Sequence, residues 1–466
     1  METFDLIVIG SGPAGQRGAI QAAKFGKRVA IIDRRESVGG VCLHTGTIPS
    51  KTLREAVLYL SGWGERGLYG QDYRLKRDLT MEDLKQRLNL TIRREVEVID
   101  HQLARNGVTT IAGAASFIDP HTILVEGASG SGRGKATEYR GDHFLIATGT
   151  HPVRPDGIPF DDRSVIDSDG ILDIEVLPRT MTVVGAGVIG IEYAAIFSAM
   201  DVEVTVIDGR DSILGFMDRE VIDEFTHLLR ERGVTLRLGE NVERVERDGD
   251  GQVVTDLASG KRIRSDIILF AAGRAGSVNA LHLDRAGVAY DRRHLIKVND
   301  NYQSNVEHIY AAGDIIGFPS LASTSMEQGR SAACHAFGHG VRSLPDAFPF
   351  GIYAVPEMSM VGLTEEALTE RKIPYETGTA RLRETARGQI MGLDHGLLKI
   401  LFSLEDRRVL GVHILGEGAT ELIHIGQAVM ALGGTLDYFL HTVFNYPTLA
   451  EAYKVAALDA WNRLAP

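Results

Sequence analysis

The chain has 466 residues, 44% of them apolar and 24% charged, with a formal net charge of −12. At roughly 150 residues per domain, about three domains are expected. An acidic balance argues against nucleic acid or an anionic membrane face as partner, since both require basic patches. Cys42 and Cys334 are the two cysteines, too few for a disulfide framework and consistent with a reducing, cytoplasmic setting.

An apolar strand over residues 4–9 begins near the first residue, which leaves no room for a cleavable leader. It runs into Gly10-Ser11-Gly12-Pro13-Ala14-Gly15, then a helix of small residues, then a second strand ending in Asp33. Glycines at this spacing permit a tight turn, close approach to a pyrophosphate and close helix–sheet packing. The helix N-terminus offers free N–H groups to phosphate oxygens. Asp33 is the acid expected on the adenosine ribose hydroxyls.

Residues 52–108 read as long helical segments and residues 121–149 as strands, with 144–150 a buried strand ending in a turn. A Pro-rich run over 151–159 marks a boundary. The first pattern then returns: a strand over 181–184, Gly185-Ala186-Gly187-Val188-Ile189-Gly190, a helix of small residues, and a strand ending in Asp208. Gly10 to Asp33 and Gly185 to Asp208 both span 23 positions (33 − 10 and 208 − 185). Two copies with equal spacing predict two dinucleotide-binding βαβ units. Asp208 favours NAD(H), because a carboxylate ~4 Å from a 2′-phosphate costs about 4 kcal/mol at an effective dielectric near 20. Arg210 can pair with that phosphate, so both nicotinamide cofactors are expected to bind. Residues 202–270 read as alternating short strands and turns, closed by an apolar strand over 267–270 and Gly273. A strand-like stretch over 306–314 ends at Asp314, and a helix over 323–337 follows. No apolar run approaches the ~18 residues of a membrane span. Beyond residue 345 strands and helices alternate without a Gly-rich loop, as in a third domain.

After the first unit comes Val38-Gly39-Gly40-Val41-Cys42-Leu43-His44-Thr45-Gly46-Thr47-Ile48-Pro49-Ser50-Lys51. This string resembles the redox-active helix of the pyridine nucleotide–disulfide oxidoreductases, such as lipoamide dehydrogenase and glutathione reductase. Those enzymes have Cys-x-x-x-x-Cys before Ile-Pro-Ser-Lys; here Thr47 stands at the second cysteine. They also end in His-Pro-Thr…Glu, where this chain has Tyr446-Pro447-Thr448 and Glu451. Both the sulfur relay and its proton shuttle are therefore missing. The combination Cys-x-His-x-Gly-Thr-Ile-Pro-Ser-Lys with Phe-Asn-Tyr-Pro-Thr is similar to the soluble pyridine nucleotide transhydrogenases of that superfamily. Further matching segments are 147–149, 167–172, 310–314 and 356–362.

The resemblance implies an α/β, glutathione reductase-like fold: two Rossmann-like domains and a C-terminal α+β dimerisation domain. Residues 1–150 and 276–343 would form the FAD-binding domain, 151–275 the NAD(P)-binding domain and 344–466 the dimerisation domain. The implied cofactors are FAD, NAD(H) and NADP(H). Their expected contacts are Gly10, Gly12, Gly15, Asp33, Arg34, Ser37, Val38, Gly39, Gly40, Val41, Cys42, Lys51, Gly113, Thr148, Gly149, Gly185, Gly187, Val188, Ile189, Gly190, Asp208, Arg210, Gly273, Asp314 and Ala322. Lys51 would sit beside the hydride-accepting nitrogen of the flavin with Glu192 as its ion-pair partner. Thr47 would touch the isoalloxazine ring, and Asp314 would hold the ribityl chain. Cys42 reads as a flavin-loop contact or a buried small residue, and His44 as an open acid/base candidate. Tyr446 with Asn445 would line the neighbouring subunit's flavin site or pack in the interface.

The implied reaction is a Si-specific transhydrogenation, NADPH + NAD⁺ ⇌ NADP⁺ + NADH, by ping-pong hydride transfer through the flavin. A diaphorase or quinone reductase, an NAD(P)H oxidase and a non-catalytic flavin- and NAD-binding sensor remain as alternatives. The expected partners are nicotinamide nucleotides and a second copy of the chain, with higher homo-oligomers left open. No metal is expected.

Overall fold

The N-terminal strand Glu2–Ile9 is buried from Leu6 onward on both faces, the signature of a parallel strand covered above and below. It pairs in parallel with Val29–Asp33 (Ile7 opposite Ala30) and with Thr137–Ile146 (Ile7 opposite Phe144). Thr109–Asp119 extends this sheet beside Val29–Asp33, and Ile309–Ala311 extends it beside Thr137–Ile146. The structure is a computed structural model and describes residues 1–70, 72–127, 136–340 and 347–464. The expected boundary at 343/344 lies outside the described residues.

By packing, the chain divides into two units. The first comprises Met1–Thr52, Lys85–Val153 and Gly273–Leu344 as far as described. In it, helices Pro13–Lys24 and Ala322–Ala336 lie so close that a Cβ on Gly329 would stand 2.0 Å from the Ala14 carbonyl oxygen. Leu6, Val8, Ile31 and Leu145 form the core with the residues of these helices, while Phe4, Ile7, Phe117 and Phe144 form the opposite core.

The second unit comprises Leu53–Leu84, Arg154–Ala272 and Pro345–Pro466 as far as described. One of its sheets is parallel, with Thr180–Val184 between Glu203–Asp208 and Ile267–Phe270. Its C-terminal part is a five-stranded antiparallel sheet in the order Phe350–Ile352, Met358–Gly362, Val409–Leu415, Leu397–Ser403, Tyr375–Arg381. Helices Ala419–Ala431 and Glu451–Leu464 pack on that sheet. A Cβ on Gly378 would stand 2.1 Å from the Ala456 carbonyl oxygen.

One sequence expectation needs correction and two gain detail. Residues 202–270 are not only strands and turns, for Arg219–Glu231 is a helix. Val221, Ile222, Phe225, Leu228 and Leu229 form its buried stripe, and the Asp218 side chain caps it by accepting from Glu220 N–H at 3.2 Å. Within 52–108, helix Thr47–Leu60 is followed by a 3₁₀ turn at Trp63–Glu65 and a one-turn helix at Arg66–Tyr69, and the long helix Met81–Arg105 comes after them. The buried strand expected over 144–150 stops at Ile146. No described helix is long and apolar enough to cross a membrane.

Candidate functional site

The two Gly-rich loops have the same geometry. Gly10 and Gly185 have φ of 105° and 111°, open only to glycine at low cost. A Cβ on Gly10 would meet the Ala147 carbonyl oxygen at 2.3 Å, and one on Gly185 the Ala271 carbonyl oxygen at 2.4 Å. Gly15 and Gly190 each press a helix onto its own loop, where a Cβ would stand 1.9 Å from the Gly10 and Gly185 carbonyl oxygens respectively. Gly12 and Gly187, by contrast, face open space within 4 Å. They precede helices Pro13–Lys24 and Val188–Ser198, and neither helix has a side-chain cap. Unsatisfied N–H groups and positive helix ends thus open outward where a phosphate can be received.

The acids at the ends of the second strands brace these loops. Asp33 Oδ2 accepts from Ser11 N–H at 2.9 Å and Ser11 Oγ at 2.6 Å. Asp208 Oδ2 accepts from Ala186 N–H at 2.6 Å. Arg210 clasps Asp208 at both oxygens, Nε to Oδ1 at 2.9 Å and Nη2 to Oδ2 at 2.7 Å. Burial alone would raise the Asp208 carboxyl, but Arg210 and the Ala186 N–H hold it down at about 2.

Around the first loop lies a cavity. Gly10, Gly12, Asp33, Arg34, Gly40, Val41, Cys42, Thr47, Gly113, Thr148, Gly149, Asp314 and Ala322 line it, all anticipated from the sequence. Gly15, Ser37, Val38, Gly39 and Lys51 do not line it. Gly15 serves packing, Val38 is in the core, and Gly39 N–H donates to Ser11 Oγ at 3.0 Å. Lys51 Nζ donates to Ser50 Oγ at 3.3 Å. Val188 and Ile189 open the second fingerprint helix. Gly273 has φ of 114° and accepts from Val153 N–H at 3.0 Å.

The cavity suits a dinucleotide with a polyhydroxyl linker. Thr148 Oγ1 is buried without a hydrogen-bond partner, a cost that a ligand hydroxyl can remove. Burial pushes the Asp314 carboxyl up, against Arg274 and Thr150. A sugar or ribityl hydroxyl would replace the hydration that carboxylate lacks.

Arg35 also lines the cavity, within the 33–42 stretch expected around the adenosine and pyrophosphate; sequence reasoning missed Ser11, Ser277, Ser320 and Ser325, which line it too, and Arg274. Arg274 donates to Thr150 Oγ1 and Thr150 O, each at 2.9 Å. Only Ser11 carried a signal, its place inside the fingerprint. Burial pushes the Cys42 thiol up, against a hydrogen bond from Thr47; a reactive thiolate requires the opposite shift. His44 Nε2 lies 2.9 Å from the Val38 carbonyl oxygen, occupied in holding the loop. Glu192 belongs to the second unit, is buried, and accepts Tyr353 N–H at 2.8 Å. Tyr446 is exposed.

Two nucleotide folds of matching loop geometry, with a cradle around the first, define a protein that handles two dinucleotides. The chain belongs to the pyridine nucleotide-disulphide oxidoreductase family. The family model matches residues 4–329, and the model of its dimerisation domain matches residues 348–457. A "Soluble pyridine nucleotide transhydrogenase" of Mycobacterium bovis is 54% identical over 464 residues, covering 100% of this chain and 98% of that protein. A protein of the same name from Colwellia psychrerythraea is 46% identical over 465 residues, covering 99% and 98%. Among solved structures, the HOCl-induced flavoprotein disulfide reductase RclA of Escherichia coli superposes with TM-score 0.87 at 27% identity, covering 97% of this chain and 99% of that one. LpdA of Mycobacterium tuberculosis superposes with TM-score 0.88 at 26% identity, covering 100% of both.

Proposed function

We propose that the protein moves hydride between nicotinamide nucleotides, NADPH + NAD⁺ ⇌ NADP⁺ + NADH, in two half-reactions at one nicotinamide seat, with FAD held along the first cradle. The observation that carries this reading is Cys42 beside Thr47. The single thiol is held in its neutral form by burial, and the position that carries a second sulfur in disulfide reductases holds a hydroxyl. The names of the full-length relatives support the same reaction. FAD, when bound, supplies the two-electron acceptor and donor that one thiol cannot.

The chain's own residues bind and orient. Gly10, Gly12 and Gly40 let backbone approach the pyrophosphate, and Asp314 and Thr148 take hydroxyls. Lys51 and Glu192 serve the hydride step, Lys51 by holding positive charge beside the ring, and Thr47 fills the place of the second sulfur. At the second cradle Asp208 takes the ribose hydroxyls of NAD(H). Arg210, whose side chain is 60% exposed, exchanges Asp208 for the 2′-phosphate of NADP(H). The dimerisation domain supports a homodimer, and the cysteine usage supports a cytoplasmic setting.

Initial rates with NADPH and thio-NAD⁺ test the scheme. Parallel double-reciprocal lines are expected, and intersecting lines would sink it. Hydride delivered from stereospecifically labelled NADPH checks the Si assignment. Arg210→Ala is expected to raise KM for NADPH about ten-fold while leaving that for NADH within about two-fold. Equal changes in both would remove Arg210 from phosphate recognition.

A further inference from the structure

What aims Glu192 comes from a distant part of the chain. The N–H donated to Glu192 Oε1 belongs to Tyr353, 161 residues away. The Tyr353 phenol is hydrogen-bonded to Thr420. Thr420 Oγ1 donates to Glu357 Oε2. The Glu357 carboxylate also accepts Gly418 N–H at 2.9 Å and Thr420 N–H at 3.4 Å. It therefore serves the first turn of helix Ala419–Ala431, whose cap residue Gly418 has no side chain to offer.

Little slack exists along this line. Glu192 is 4% exposed and Glu357 6%. A Cβ on Gly351 would stand 3.1 Å from Thr420 Cγ2 and 3.3 Å from a Tyr353 ring carbon. A buried carboxylate that loses a donor pays for desolvation without return. A displaced Tyr353 would therefore carry Glu192 with it or leave it short of a donor. Tyr353, Glu357 and Thr420 all lie in the span of the dimerisation-domain model, whereas Glu192 lies in the nucleotide-binding span.

We propose that Thr420 is a positioning residue: through Tyr353 it holds Glu192 where the hydride step needs it, and so couples that step to the dimerisation domain. The inference rests on the role of Glu192 proposed above.

The test compares holoenzyme carrying T420V, T420S, E357Q and E192Q, by stopped-flow reduction with NADPH and by hydrogen–deuterium exchange of the peptide spanning Tyr353. T420V is expected to lower the limiting reduction rate about five-fold with the NADPH dissociation constant unchanged. It is also expected to speed amide exchange at Tyr353, and T420S to restore both. Should T420V fail to fold, E357Q carries the same two expectations. E192Q reducing at the wild-type rate would overturn the reading of Glu192 and the relay with it. E192Q slow, with T420V normal in rate and exchange, would overturn the relay alone. So would a T420V defect that weakens NADPH binding in proportion, or that serine does not rescue.

Discussion

Gly12 and Gly15 lie one helical turn apart and meet an added methyl group in opposite ways. At Gly12 the methyl enters open space on the cradle side; at Gly15 it meets a backbone oxygen at 1.9 Å. Gly12→Ala should therefore keep its thermal stability without cofactor, within about 0.5 kcal/mol, yet purify with much less FAD. Gly15→Ala should lose about 3 kcal/mol or more, because the backbone itself must shift. The second loop repeats the contrast with nicotinamide in place of FAD: Gly187→Ala should fold and retain FAD but bind NADH weakly. Calorimetry with flavin absorbance separates these outcomes, and a Gly12→Ala protein that retains full flavin would contradict the cradle. These loops could be read from sequence because their glycines and bracing acids lie within one short strand–turn–helix–strand unit, although the Ala147 and Ala271 carbonyls that press on Gly10 and Gly185 do not. The Thr148 hydroxyl and the Arg274–Thr150 contacts could not, since their roles depend on strands brought together only by folding.

Among the elements, a buried charged seam lies where helix Arg219–Glu231 meets the antiparallel sheet. Lys399, 1% exposed on strand Leu397–Ser403, reaches Asp218 and Glu220 at 3.0 Å each and also contacts Glu365. These carboxylates could ligate a metal by their spacing, but the lysine ammonium already lies among them. Lys399→Met should destabilise the protein by about 3 kcal/mol in urea titrations, chiefly by leaving Asp218 buried and unpaired. The seam is silent in sequence, since Lys399 and Asp218 are 181 positions apart. Helix Arg219–Glu231, by contrast, is legible in the sequence, since Val221, Ile222, Phe225, Leu228 and Leu229 recur at helical spacing behind the Asp218 cap.

The pH response of this region follows from the signs. Burial raises the Asp218 carboxyl, but His413, to the extent that its ring is charged, and Lys399 outweigh it and the net shift is downward. Its contribution is thus present above 3.8 and lost as pH falls through its lower folded value. Burial works to lower Lys399, but Glu365 and Asp218 raise it on balance, so its contribution is present below 10.5 and lost only at higher pH. His413, on strand Val409–Leu415, is fully buried with its Nδ1 unpartnered, and burial lowers it. The folded state therefore prefers neutral His413, and a stability cost develops as pH falls below 6.5. His413→Leu should flatten the decline in melting temperature between about pH 6.5 and 5. An unchanged slope would assign that limb to other groups such as His143, which burial also lowers.

For the molecule as a whole, both cysteines are free, so the denatured protein should show two reactive thiols before and after reduction. Thr47→Cys should show three when reduced and one when oxidised, if Cys42 then closes a bridge. Reduction of lipoamide or glutathione disulfide by the unaltered protein would overturn the reading of Thr47. The arrangement of two nucleotide folds and a third domain was legible in outline, because duplication and a fingerprint-free C-terminal region survive without any tertiary knowledge. Assignment of Leu53–Leu84 to the second unit was not, because a helix that runs between units carries no mark of which core it joins.

The Asp208–Arg210 clasp has a consequence for how long a nucleotide stays. On the proposed reading, NADP(H) must dissolve this ion pair before its adenosine end can settle, so its docking begins at a cost. A seat that must be vacated by one guest before the next can use it gains from such looseness, so this carboxylate and guanidinium would set residence time as well as the choice between coenzymes.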